Sequence, residues 1–135
     1  MGDRAVTGFA EREGAPVIYL YSHWGGSSQV ADLQGALSAA ENRWSDPDYA
    51  TRIAVSHLVG DDWKSETGYG LSVGTYAAPD LPYVLIAYWE SRQVVVVSDS
   101  HAREVIARFS FEDFSTVVDG NLTPPVTVLV SEKGP

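Results

Sequence analysis

A strand-like run from Val17 to Tyr21 ends at Gly25-Gly26, and an amphipathic helical stripe starts directly after it. This strand, glycine pair and helix constrain the fold more than any other stretch. The run from Pro16 to Ser22 is apolar on both alternating faces, which predicts a central strand covered on both sides. From Ser28 to Trp44, apolar residues at Val30, Leu33, Leu37, Ala40 and Trp44 recur in steps of three and four, so they form one stripe of a helix. Ser27 or Ser28 is placed to cap it. Asp46-Pro47 then restarts the chain as N-cap and first helical residue, and the second helix runs to Val59 and stops at Gly60. Its apolar face holds Ala50, Ile53, Ala54 and Leu58, while Tyr49, Arg52 and Ser56 share another face.

Downstream the pattern turns to strands. Tyr69 to Tyr76 alternates Leu71, Val73 and Thr75 against Ser72 and Gly74. Ala77 to Pro82 reads as a turn. Tyr83 to Trp89 and Gln93 to Ser98 form an antiparallel hairpin, and the valine run 94–97 requires that hairpin to be covered. Val105 to Phe111 alternates as a strand, with a helix from His101 to Phe109 as its competitor, and Phe111 to Phe114 starts a helical turn. Val126 to Val130, after Pro124-Pro125, can add an edge strand. Together these elements predict an α+β fold in one domain, residues 1–135. A mostly antiparallel or mixed sheet carries two helices, about 28–44 and 47–59, on one face. Residues 1–14 read as a loose lead-in or an edge element, and residues 131–135 as a loose end.

Composition narrows the function. A formal charge of -9 opposes general adhesion to nucleic acid polymers and anionic membranes. The absence of cysteine removes disulfides, thiolate chemistry and cysteine metal sites, and it suits a cytoplasmic protein. The N-terminus lacks the apolar core of a signal peptide, and no run reaches the ~20 residues of a membrane span. The spacing of His23, His57 and His101 matches no metal-ligand pattern, so neither metal nor cofactor is expected.

Three stretches carry candidate chemistry. At the strand end, His23, Trp24, Gly25, Gly26 and Ser27 combine a titratable ring, a stacking surface and helix-start amides that can approach an anion. The P-loop and G-x-G-x-x-G patterns are both absent, and a tight turn with Trp24 plugging the core explains the same residues. On the second helix, Arg52 beside Tyr49 suits a carboxylate or phosphate, and a surface pair with Asp48 is the alternative. Before the next strand, Glu66, Thr67 and Tyr69 can read a ribose or base edge or simply make a turn.

The ordered motifs L-Y-S-H-W-G-G, R-W-S-D-P-D-Y-A-T-R-I and E-T-G-Y-G-L-S resemble those of a family of small, uncharacterised bacterial and phage proteins. The resemblance covers residues 17–98. His23, Trp24, Gly25, Gly26, Trp44, Asp46, Tyr49, Arg52, Glu66, Thr67, Gly68 and Gly70 match its pattern. His57 departs from it, standing where an acidic residue is expected. The resemblance implies a compact intracellular protein, phage-borne, in a setting where small proteins sequester host defence signals.

The leading expectation is therefore a non-enzymatic binder of a small anionic, nucleotide-derived ligand. Its site would gather His23, Trp24, Arg52 and Glu66 in one concavity. A protein-interaction module that inhibits a host protein is the second expectation, and a hydrolase using His23 and Glu66 the third. Homo-oligomerisation is left open.

Overall fold

The computed structural model describes residues 4–74, 81, 83–98 and 104–118. Its fold is α+β. Six strands form one mixed sheet: β1 (Ala5–Ala10), β2 (Ile18–Ser22), β3 (Tyr69–Val73), β4 (Val84–Tyr88), β5 (Gln93–Val97) and β6 (Val105–Ser110). Their spatial order is β3-β2-β1-β4-β5-β6. Every neighbouring pair is antiparallel except β1 and β4, which run parallel. Two helices, α1 (Gln29–Ala39) and α2 (Pro47–Val59), lie between β2 and β3 in the chain, and a short α3 (Phe111–Phe114) follows β6.

The helices share one face of the sheet, as the apolar periodicity requires. Val30, Leu33, Leu37, Ala50 and Ala54 are buried there with Leu20, Leu85, Val94, Val96 and Phe109. The alternate residues of the same strands, including Val6, Tyr19, Val84, Ile86 and Val95, form a second buried cluster on the opposite face. The hairpin of β4 and β5 is covered on both faces, so its valine run is hidden. β6 adopts the strand rather than the competing helix, and α3 buries Phe111 and Phe114. On the second face, desolvation and then the Glu13 carboxylate raise the Tyr88 hydroxyl above its usual 10.0, so it stays neutral at physiological pH.

Five expectations are corrected. The expected lead-in is interrupted by residues 5–10, which form β1, buried throughout and third in the strand order. Its sequence, A-V-T-G-F-A, hides the strand pattern by placing Thr7 on the helix-side face and Gly8 on the other. Thr7 tolerates burial because its hydroxyl accepts from Gln29 Nε2 at 3.0 Å. With β1 central, β2 is displaced to second from the edge, and Ile18 remains exposed at its start.

The first helix ends at Ala39 rather than Trp44, and a 3₁₀ turn over Glu41–Arg43 follows. Trp44 leaves the helical stripe, donates Nε1 to the Leu37 carbonyl at 2.9 Å, and meets the Phe111 ring edge-on at 4.9 Å. Serine capping of this helix does not occur at Ser28, whose hydroxyl donates to Asp32 instead. Asp46 and Pro47 occupy the expected places, but the Asp46 side chain makes no capping hydrogen bond. Gly60 ends α2 with φ at 64°, a conformation glycine adopts without cost. The expected turn before the hairpin lies outside the described residues apart from Leu81, as do His101 and the run from Val126 to Val130.

Candidate functional site

The histidine-tryptophan turn is held by the stretch before β3. The His23 amide donates to the Gly68 carbonyl at 2.9 Å, extending the antiparallel pairing of β2 and β3 by one step. Gly68 has φ at +105°, and a Cβ added there would lie 2.7 Å from Trp24 Cζ3, so the indole rests directly on this glycine. The His23 ring stands edge-on to Trp24 at 5.0 Å and its Nδ1 lies 3.1 Å from the Tyr21 hydroxyl. The two glycine-bearing motifs therefore clasp each other.

Beneath this clasp is a cavity of about 90 Å³ lined by Ser22, Trp24, Gly25, Gln29, Asp32 and Tyr69, among others. Gln29 is buried and spends its amide on the Val6 carbonyl and the Thr7 hydroxyl. Among the described residues, Asp32, in the first turn of α1, is the charged one in the lining, and none of the others is a cation. An anion placed here would meet a carboxylate where the helix dipole would otherwise welcome it. His23 and Glu66 are both exposed and form no ion pair with each other. His23 instead faces Tyr21 and Trp24.

Arg52 stands elsewhere. It lines a trough of about 300 Å³ with Asp48, Thr51 and Val55 of α2, Trp63 of the following loop, Ile18 of β2 and Leu71 of β3. The alternative surface pair between Arg52 and Asp48 does not form, and among the described residues neither side chain has an ion pair. Tyr49 points to a different partner, its ring lying 5.4 Å from the Arg43 guanidinium carbon. Trp24, Gly25 and Tyr69 thus share one concavity and Arg52 belongs to another, while His23, Gly26, Ser27, Tyr49, Glu66 and Thr67 line neither.

The trough runs between the 48–55 flank of α2 and residues of β2 and β3 that α2 leaves exposed. Leu71 pairs with Leu20 and Val73 with Ile18, all on the helix side, yet Leu71 is 56% and Val73 69% exposed. Trp63, 52% exposed, closes the other side. The alternation of Leu71 and Val73 is legible in the sequence, but their meeting with Trp63 is not.

Among the described residues, β3 is also an edge strand. The bonds from His23 to Gly68 and from Gly74 to Val17 mark the residues of β3 that are hydrogen-bonded to β2 as the even-numbered ones. By the alternation of an antiparallel ladder, the amides and carbonyls of Tyr69, Leu71 and Val73 therefore point outward. The residues with outward backbone groups are the same ones whose side chains face the helix side.

Among the described residues, no group of three histidine, aspartate or glutamate side chains converges as a metal site would need, and no helix is long and apolar enough to cross a membrane. Comparison with protein-family models, with curated proteins and with solved structures returns no match to this chain.

Proposed function

We propose that this chain is a protein-interaction module whose docking face is the trough between α2 and β3. One observation carries the reading: Ile18, Leu71, Val73 and Trp63 are exposed together beside an edge strand with outward backbone groups. Contiguous apolar surface of this kind, rimmed by charge, is characteristic of interaction sites, and unprotected edges are ordinarily blunted by charge, proline or bulges. The strand Y-G-L-S-V has none of these. In the phage setting that the motifs imply, the partner is a host protein.

A photo-crosslinking residue at position Leu71 tests this in producing cells, with one at Glu112, by the opposite edge, as control. Discrete heavier adducts are expected from position 71 alone. Adducts from both positions, or from neither, would remove the reading.

Arg52 and Trp63, which line the same trough, support a second reading, a small anionic ligand held by the guanidinium and stacked on the indole. Calorimetry with linear and cyclic nucleotides decides it. Heat of binding that falls about tenfold or more in affinity in Arg52→Ala supports it, and no heat with any nucleotide removes it.

A further inference from the structure

Resting on the interaction-module reading, we infer that β3 takes an added strand: an extended segment of another protein, apolar at alternate positions and basic at its ends. Three features on this edge define that occupant. First, Tyr69, Leu71 and Val73 offer outward amides and carbonyls at a two-residue spacing, which an extended backbone matches and a helix does not. Second, only one side of the ladder is apolar. Leu71, Val73, Ile18 and Trp63 lie toward the helices, whereas Gly70 and Ser72 occupy the other side of the strand, so the incoming segment needs apolar side chains only at alternate positions.

Third, the segments that lead into Trp63 and β3 are acidic. Asp48 lines the trough, Asp61 and Asp62 are exposed just before Trp63, and Glu66 is exposed just before β3, against Arg52 and Lys64. The whole chain carries -9. Such a field speeds encounter with a cationic segment and opposes an acidic one. It also disfavours a second copy of this chain, which would bring another -9 to the same edge.

The probe is an end-blocked fluorescent peptide, Lys-Lys-Val-Thr-Val-Thr-Val-Lys-Lys, titrated with the full chain and read by anisotropy. Its relatives carry Glu in place of Lys, or backbone N-methyl groups on the valines only or on the threonines only. The Lys peptide should bind about tenfold or more tightly than the Glu peptide. Methylation of one alternate set should abolish binding and of the other should not, because only one edge of an added strand faces β3. Leu71→Asp, at an exposed position and checked for unchanged circular dichroism, should weaken binding by about tenfold or more.

Equal binding of Lys and Glu peptides would overturn the charge selection, and equal effects of the two methylated sets would overturn strand addition. No peptide binding alongside adducts from position 71 would overturn the extended occupant while leaving the interaction reading standing. Sedimentation as a dimer that Leu71→Asp dissociates would give the edge to a second copy and overturn the heterologous partner.

Discussion

Replacing Trp89 by alanine should destabilise the protein by about 3–5 kcal/mol, the range for truncating a buried tryptophan. Trp89 follows β4 directly and is fully buried, at 0% exposure. Its ring stacks on Phe9 of β1 with centroids 5.8 Å apart and meets Phe111 of α3 edge-on at the same 5.8 Å. Its Nε1 donates to the Thr51 hydroxyl of α2 at 2.9 Å. One side chain thus joins the sheet centre, the trough-bearing helix and the C-terminal helical turn. Truncation opens a cavity among three elements and removes the donor to Thr51. The loss is a large fraction of the roughly 5–15 kcal/mol that holds a domain folded. Urea denaturation followed by circular dichroism checks it. Trp89→Phe retains ring contacts and loses the hydrogen bond, so its midpoint should fall between the other two. A midpoint for Trp89→Ala equal to that of the parent would remove Trp89 from this role.

Gly68→Ala should have the next largest effect, about 1–3 kcal/mol from the backbone conformation alone. A φ of +105° is strained for any side chain, and here the new Cβ would also strike the Trp24 ring at 2.7 Å. Trp24 is 61% exposed, so Trp24→Ala alone should cost much less. In the double variant the steric part disappears while the backbone part remains, and the combined loss should fall below the sum by about 0.5–3 kcal/mol, as for residues in contact. Strict additivity in this cycle would mean that the indole does not rest on Gly68. The result also bears on the histidine-tryptophan turn, because coupling of this size identifies the contact as part of what holds β2 to β3. Conserving that clasp geometrically requires no ligand.

The helices on one face, the restart at Asp46-Pro47, the stop at Gly60, the hairpin of β4 and β5 and the strand β6 were all legible from residue order. These features depend on periodicities of two and 3.6 residues and on turn chemistry, which act between near neighbours and are written locally. β1 was not legible. Its six residues are held by pairing with β2 on one side and with β4, nearly 80 positions later, on the other. Nor was the end of α1 at Ala39, where Trp44 satisfies its indole on the Leu37 carbonyl and packs on Phe111 from the far end of the chain.

Residue types alone nominated Trp24, Arg52 and Tyr69 as candidates, and each does line a concavity. Which concavity was beyond the sequence. Asp32 entered the space beneath Trp24, and Trp63, Ile18 and Leu71 came together around Arg52, because the strand order placed β3 at the edge where α2 leaves the sheet uncovered. Composition and periodicity determined that the chain would build a helix-covered sheet with a net negative surface. Only the tertiary structure decided which strand lies at the edge of the described sheet with an exposed apolar face, since edge and centre are set by pairing between distant segments that no local pattern records.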